Sequence, residues 1–337
     1  MKTKLFTPIT IRNLELKNRI VMAPMCMYSV EKEDGIATDW HFTHYESRAI
    51  GQVGLIMLEA TGVTSNGRIS NEDLGIWSDE QILGLKEIVH RIHKHGSKAA
   101  IQLNHAGRKA RFSSTVAPSS ITHSKEAVIP KELTVTEIKS LVNAFLQAAN
   151  RAMEAGFDCI ELHAAHGYLI HQFLSPLSNT RTDEYGGSRK NRFRFLREII
   201  EAIRAIWDGV LMVRISATDY LPGGLTVEDH CQFAKWMKEL DVDLIDVSTG
   251  GLLPATIPLS PGYQVPYTQK IKGETNILTG AVGLINDGTL AEQILQENKA
   301  DVIFIGRALL RNPYWPLEAA KKLNETINIP KPYLRGW

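Results

Sequence analysis

This chain of 337 residues is poor in cysteine, has no excess of either charge and lacks long apolar runs. Its three cysteines, Cys26, Cys159 and Cys231, are far apart and odd in number, which argues against a disulfide framework and predicts a reducing, cytoplasmic setting. A formal net charge of +1 gives no reason to expect nucleic acid. No window approaches the roughly 18 apolar residues that span a membrane. We therefore expect neither a membrane span nor a secretory signal.

What the sequence does contain is a series of eight short apolar segments, each followed by a helix-like segment. They are continuously apolar rather than alternating, which is typical of parallel strands covered on both faces. Eight such units predict a single (β/α)8 TIM barrel. A doubly wound sheet is the alternative, but its usual GxGxxG fingerprint is missing. The predicted strands are 19–24, 54–60, 98–103, 157–162, 210–215, 243–247, 275–278 and 301–305.

Two segments lie outside this repeat, and we expect the whole chain, 1–337, to form one domain. The first, 1–18, is predicted to contain a hairpin over residues 5–18 that closes the barrel floor. The second, 104–133, is rich in Ser, Thr, Pro and His and follows the third strand as a long loop. Loops at this end of a barrel carry function, so the 104–133 loop is a candidate lid or substrate wall.

The loops after the last two strands indicate a phosphate site. Barrels often bind phosphate there, and glycines such as Gly283 and Gly306 let main-chain N–H groups approach it. Arg307 would add charge-assisted bonds. The alternative is that these glycines only turn the chain.

Arg214 lies inside an apolar strand, where a charge is costly unless it has a partner. That partner is either a barrel carboxylate, Glu161 or Asp246, or a bound electron-rich ring that becomes anionic during reaction. Gln102 offers a planar donor and acceptor to the edge of such a ring. Together with a phosphate site, these residues favour flavin mononucleotide (FMN).

A cluster of imidazole and phenol groups follows the fourth strand. His163 and His166 have three interpretations: zinc ligands, structural core histidines, or a donor pair for a substrate carbonyl oxygen. No obvious third ligand supports the metal. Tyr168 is either a general acid or an aromatic wall. His41 and His44 repeat the spacing, but we expect them to serve packing or capping.

These residues resemble those of the Old Yellow Enzyme family of flavin-dependent ene-reductases. The chain is most similar to the bacterial NADPH dehydrogenase branch, which has a cysteine near the flavin. The resemblance covers essentially the whole chain. Its motifs are Leu5-Phe6-Thr7-Pro8, residues 17–28 (KNRIVMAPMCMY), residues 102–109 (QLNHAGRK), residues 163–187, Phe304-Ile305-Gly306-Arg307 and Arg335-Gly336-Trp337.

The resemblance implies a role for each matching position. His163 and His166 would hold the activating oxygen of the substrate, and Tyr168 would donate the proton. Further substrate contacts would come from Tyr28, Ala164, Ala165 and Arg335. Non-covalent FMN would be contacted by Ala23, Pro24, Met25, Cys26, Ala60, Gln102, Arg214, Gly283, Gly306 and Arg307, with no metal.

The implied reaction is a ping-pong hydride transfer from NADPH through FMN to α,β-unsaturated aldehydes, ketones, maleimides and nitro compounds, with a possible role in detoxifying electrophiles. Arg335, within the tail 325–337, would reach a neighbouring subunit of a homo-oligomer. Asn104 departs from relatives that often carry a smaller residue. The alternatives are a dienoyl-CoA reductase type, a metal-dependent barrel hydrolase and a non-catalytic flavin-binding protein; the scattered cysteines argue against the first, since it needs an iron–sulfur cluster.

Overall fold

The computed structural model describes residues 3–337; residues 1 and 2 of the predicted 1–18 segment lie outside them. The strands are β1 (Ile9–Ile11), β2 (Leu14–Leu16), β3 (Ile20–Met22), β4 (Leu55–Gly62), β5 (Lys98–Asn104), β6 (Val116–Ala117), β7 (Lys131–Glu132), β8 (Cys159–Ala164), β9 (Val210–Ser216), β10 (Leu244–Ser248), β11 (Leu278–Ala281) and β12 (Val302–Ile305). The helices are α1 (Asp39–Ile50), α2 (Ile82–Lys94), α3 (Val135–Ala155), α4 (Leu169–Leu174), α5 (Arg189–Arg204), α6 (Val227–Glu239), α7 (Val265–Thr275), α8 (Gly288–Gln296), α9 (Arg307–Arg311) and α10 (Trp315–Lys322).

Eight parallel strands close into a barrel in the order β10-β11-β12-β3-β4-β5-β8-β9. Every residue of β4, β8 and β9 is buried, because the barrel interior covers one face of each strand and helices cover the other. The predicted TIM barrel is confirmed. The carboxyl ends of the eight strands therefore meet at one end, here called the mouth, and their amino ends at the other, the floor.

The barrel floor is covered by the antiparallel hairpin β1–β2, in which Ile11 pairs with Leu14. Ile11 and Leu16 are fully buried and pack against inward-facing strand residues such as Met57 and Phe304. The alternation of buried and exposed residues in Leu14-Glu15-Leu16 is what a strand with one covered face requires. The hairpin that was predicted to close the floor is thus present.

The seventh predicted strand, 275–278, was misplaced: β11 runs from Leu278 to Ala281. Thr275 ends α7 instead, where its Oγ1 donates to the carbonyl of Ile271 at 2.7 Å. Asn276 then adopts a left-handed conformation (φ 52°) that terminates the helix. Of the β-branched residues at this junction, Thr275 therefore ends the helix and Ile277 precedes the strand.

The long loop after the third strand begins one residue later than predicted, because Asn104 still belongs to β5. Within it, the main chain forms a short 3-10 turn at Gly107–Lys109 and the small parallel pair β6–β7. The loop is therefore anchored against the barrel at both ends, and it leads from β5 across the mouth.

Capping groups lie at both ends of α3 and at the start of α1. Thr134 accepts a hydrogen bond from the Glu137 amide at the start of α3, and Gly156 ends that helix with φ 89°. His41 caps α1, since its Nδ1 accepts from the Thr38 amide at 3.0 Å. His44 is buried beside Trp40 and Tyr45. These two histidines accordingly serve capping and packing.

Candidate active site

The mouth of the barrel holds two cavities, and six of the predicted site residues line them. The larger, of about 550 Å³, is lined by Tyr28 and Tyr168 and by the loop after β5. The smaller, of about 160 Å³, is lined by Arg214, Gly283, Gly306 and Arg307. Strand ends that are distant in the sequence thus converge as the barrel topology requires.

His163 is the second-last residue of β8 and lies beside Arg214, its partner in β9; His166 follows in the next turn. The Nε2 of His163 lies 3.4 Å from the Nδ1 of His166, with the rings edge to face at 5.1 Å. Burial, followed by the charge of Arg214, holds the pKa of both imidazoles well below the usual value. Both rings are therefore neutral at pH 7, and each presents one N–H donor.

The protons of this pair are ordered by a hydrogen-bond chain. Gln264 donates to the Val282 carbonyl at 3.2 Å, so its Oε1 accepts from the Ser248 hydroxyl at 3.2 Å. The Oγ of Ser248 must then accept from the Nε2 of His166, 2.7 Å away. His163 accepts at Nδ1 from the Ala165 amide (3.3 Å), which leaves its proton on Nε2. Ser248 and Gln264 thereby select the tautomer of His166.

The main chain at His166 is held in a left-handed conformation, φ 57°, which is uncommon for a residue other than glycine. Its amide donates to the Oγ of Ser216 at 3.0 Å. Its carbonyl accepts from the Nζ of Lys109 at 2.9 Å, and the same ammonium binds the Gly251 carbonyl at 2.8 Å. These contacts from β9 and from two loops keep the strained turn in place.

Tyr168 lies next to the histidine pair, with its ring 4.8 Å from that of His163. Burial raises the pKa of its phenol, so the hydroxyl stays protonated and able to donate. Tyr168 packs with Cys26 and Ala60. Burial also raises the pKa of the Cys26 thiol, which is therefore neutral.

His171 is fully buried and satisfied on both ring nitrogens. Its Nδ1 accepts from the Gly167 amide at 3.0 Å, and its Nε2 lies 2.9 Å from Asp219. It therefore supports the turn below the site, as a structural residue. Within residues 3–337, no group of three His, Cys, Asp or Glu side chains is placed to hold a metal ion.

Arg214 lies beside two carboxylates of the barrel interior, Glu161 and Asp246. Its Nε lies 3.1 Å from Asp246, yet no acceptor is aligned with that N–H. Glu161 instead accepts from Gln102 at 2.7 Å. Burial and the charge of Asp246 raise the pKa of Glu161. Of the two carboxylates considered from sequence, Asp246 is the partner, and Arg214 keeps hydrogen-bonding capacity toward the smaller cavity.

The lining of the smaller cavity has the charge and the bare main chain that the phosphate end of a flavin mononucleotide would need. Arg214 and Arg307 supply positive charge at its edge. A side chain at Gly283 would come within 2.9 Å of Gln264, so the main chain there must stay bare and open to a ligand. Gly306 lies near Met25 and Ala23 of the first strand end, at 3.6 and 4.0 Å from an ideal Cβ. The predicted flavin contacts from β3, β9, β11 and β12 thus surround one space.

Arg335 is the predicted site residue that the chain does not bring to the mouth. It lies in the exposed carboxyl-terminal segment, beyond the contact between the hydroxyls of Tyr314 and Tyr333 (3.1 Å). Its role stays a prediction. Conversely, sequence reasoning did not assign Ser248, Gln264 or Lys109 to the site. The position of Ser248 at the end of the sixth barrel strand was the one available signal.

The chain is similar to known flavin oxidoreductases. A family model described as the NADH:flavin oxidoreductase / NADH oxidase family matches residues 4–326. The NADPH dehydrogenase of Geobacillus sp. (strain WCH70) is 58% identical over 100% of this chain and 99% of its own length. The old yellow enzyme homologue of Zymomonas mobilis aligns with a TM-score of 0.81 and 28% identity, covering 96% of this chain and 94% of that one.

A longer structural relative is the 2-naphthoyl-CoA reductase, at a TM-score of 0.90 and 26% identity. It covers 95% of this chain, whereas this chain spans about half of its length (52%).

The chain belongs to the NADH:flavin oxidoreductase / NADH oxidase family and is a flavin enzyme of the Old Yellow Enzyme type. It is an oxidoreductase of the NADPH dehydrogenase kind, with FMN as its cofactor and NADPH as its hydride donor. The predicted family, enzyme class and cofactors are confirmed, and the placement of a cysteine beside the flavin stays a prediction. No helix in residues 3–337 is long and apolar enough to cross a membrane.

Proposed function

We propose that this enzyme reduces the C=C bond of α,β-unsaturated aldehydes, ketones, maleimides and nitro compounds with NADPH, and so removes reactive electrophiles. One observation carries the proposal: two neutral imidazoles 3.4 Å apart stand beside a protonated phenol at the barrel mouth. Such a set can polarise an oxygen and deliver a proton. Bound FMN supplies the hydride chemistry that joins NADPH to the alkene.

The histidine pair activates the alkene by binding its conjugated oxygen. Negative charge grows on that oxygen as the β-carbon receives hydride, and fixed N–H donors stabilise this charge more than they stabilise the substrate. His163 donates from Nε2. In the arrangement described above, His166 carries its proton on Nε2. To donate from Nδ1 it would adopt its other neutral tautomer, in which the bare Nε2 accepts a hydrogen bond from the Ser248 hydroxyl turned away from Gln264. Ser248 is therefore a positioning residue for His166.

Tyr168 is the proton donor to the α-carbon, with Tyr28 on the opposite side of the cavity as a substrate contact. A phenol with a raised pKa keeps its proton until a stronger base, the developing carbanion, is next to it. Ala164 and Ala165 are buried beside the pair and shape its wall. Exclusion of water by these residues would prevent loss of the hydride to solvent.

Four of the cofactor-binding residues in this proposal, Arg214, Gly283, Gly306 and Arg307, line the smaller cavity. Gln102 and Arg214 would hold the ring system of FMN, and Arg307 would hold its phosphate. NADPH and the alkene occupy one site in turn, in a ping-pong order. The remaining contacts are Ala23, Pro24, Met25, Cys26, Ala60, Gly283 and Gly306.

We also propose that the chain is one domain, that it works in the cytoplasm and that it assembles as a homo-oligomer. The exposed Arg335 would then complete the site of a neighbouring subunit. Analytical ultracentrifugation tests the assembly, and an Arg335→Ala variant tests the contact. A monomer with full activity would reject both.

The decisive test is anaerobic spectroscopy of the purified, FMN-loaded protein. NADPH should bleach the yellow colour, and cyclohexenone should restore it at a rate that depends on its concentration. A folded protein that stays colourless after reconstitution with FMN would refute the proposal. So would a bleached protein that cyclohexenone leaves bleached.

A further inference from the structure

The larger cavity has a cationic wall that the reduction of a neutral alkene does not require. Arg108, Lys109 and Arg111 line it, and Glu126 is the carboxylate among its lining residues. We propose that this cationic wall binds the phosphate groups of the reduced nicotinamide nucleotide, while the nicotinamide lies between Tyr28 and the histidine pair. The inference rests on the proposed function, because it places NADPH in the same site as the alkene.

Neither Arg108 nor Lys109 forms a salt bridge within residues 3–337, although the charge of Asp219 acts on Arg108. Arg108 is buried; its Nη1 donates to the carbonyls of Ile121 (3.0 Å) and Thr122 (3.4 Å), its Nη2 donates to that of Leu252 (3.3 Å), and its Nε has no aligned partner. Lys109 gives two of its three N–H groups to the carbonyls of His166 and Gly251. Carbonyl oxygens orient these side chains but carry no net charge. Both cations therefore keep an N–H group for a ligand and add positive charge to the wall of the cavity.

Arg111 is the exposed member of the cationic wall. Its guanidinium lies over the ring of Tyr28, with Cζ 5.7 Å from the ring centroid, and it forms no salt bridge within residues 3–337. Two carboxylates face the region from the loop after β4. Asp73 accepts from the amides of Ile69 and Ser70, and Glu72 is half-buried. Arg111 is therefore free to form a bidentate contact with a phosphate.

The size of the cavity favours a ligand larger than a small enone. A volume of about 550 Å³ is in the range that accepts drug-sized molecules. The wall starts at the two tyrosines that flank the reacting groups and extends outward along the loop after β5. A nucleotide has this shape: an uncharged ring at the reaction centre and anionic groups farther out. A carboxylate on the alkene would offer the same chemistry, and the experiment separates the two.

The test measures binding to the oxidised holoenzyme of tetrahydro-NADPH and tetrahydro-NADH, which cannot transfer hydride, from the change in flavin absorbance. It also measures the KM of maleimide and of its N-carboxymethyl derivative. The variants are Arg111→Gln, Arg111→Lys as the conservative change, and Lys125→Gln as a control. Lys125 is an exposed cation of the same loop that does not line the cavity.

We expect Arg111→Gln to raise the Kd of tetrahydro-NADPH about tenfold, the value of one charge-assisted contact. Arg111→Lys should keep most of the affinity, and Lys125→Gln and the KM of maleimide should be unchanged. If only the Kd of tetrahydro-NADPH rises, Arg111 binds the 2′-phosphate. If the Kd of both analogues rises equally, Arg111 binds the pyrophosphate. Either result supports the inference.

The inference is overturned by an unchanged Kd in Arg111→Gln, by an equal rise in Lys125→Gln, or by an effect on the N-carboxymethyl maleimide alone. Failure of the proposed function looks different. The wild-type holoenzyme would then reduce no maleimide at all, while binding of the two analogues could still be compared.

Discussion

The floor and the mouth of this barrel are made from the same eight strands, yet their side chains differ in kind. At the floor, Leu16 and Ile11 of the hairpin meet apolar strand residues such as Val21. At the mouth, buried polar atoms such as the Nε of Arg214 and of Arg108 lack aligned partners. An unpaired buried polar group costs stability, so it persists where a ligand supplies the partner. The hairpin packs the floor with apolar side chains, whereas the mouth holds two buried cations that each have an N–H without an aligned acceptor.

Removing the donor pair at the mouth should have the largest effect on catalysis and should leave the floor unchanged. Replacing both His163 and His166 with Ala should lower the rate of enone reduction by about a thousandfold or more, since each donor to a developing oxyanion is worth roughly 10²–10³. Stopped-flow kinetics of reoxidation by cyclohexenone measure this. The yellow spectrum should remain, because neither residue holds the flavin. Unchanged turnover would remove the pair from the mechanism.

The matching change at the floor should affect stability and leave chemistry intact. Leu16→Ala deletes a fully buried side chain and should lower the free energy of unfolding by about 2–5 kcal/mol. Urea denaturation measures the loss, with the exposed neighbour Glu15→Ala as a control expected within about 0.5 kcal/mol of wild type. A reduced kcat in folded Leu16→Ala would show that the two ends are coupled.

Replacing Ser248, which orders the proton of His166, should have a smaller effect on the rate of enone reduction. Ser248→Ala removes the partner of the His166 Nε2 and should slow enone reduction about tenfold, in line with the loss of one positioning hydrogen bond. Ser248→Thr keeps a hydroxyl and should recover most of the rate. If the Ser248 hydroxyl had no part in positioning His166, the rate of enone reduction would not differ between these two variants.

The smallest expected effect is that binding of tetrahydro-NADPH depends on pH whereas the KM of cyclohexenone does not. Burial lowers the pKa of Lys109 to about 8, so its charge is present below that pH and lost above it. The Kd of tetrahydro-NADPH should therefore rise roughly fivefold as the pH passes through 8, as expected for about 1 kcal/mol of charge interaction. The KM of cyclohexenone should stay flat from pH 7 upward, since His163 and His166 are already neutral. If the Kd of tetrahydro-NADPH and the KM of cyclohexenone changed in parallel with pH, separate roles for Lys109 and the histidine pair would be contradicted.

The sequence was informative where a residue's role depends on its own strand. Continuous apolar runs located the barrel, and the fold rule then placed His163, Arg214 and Gly306 at one end. It was uninformative where a role depends on a distant partner. Gln264 stands at the start of α7, and only the closed barrel brings it to Ser248. At Thr275, β-branched residues favoured a strand although hydrogen bonds to α7 decide the outcome.

The left-handed turn at His166 limits how this enzyme can be altered. A φ of 57° is tolerated by glycine and asparagine far better than by β-branched or bulky side chains. A saturation library at this position would thus be mostly unproductive, whatever substrate is selected. Stereochemical redesign would do better to vary the surrounding loop residues and to hold 166 to His or Asn, because Asn keeps both an N–H donor and the backbone geometry.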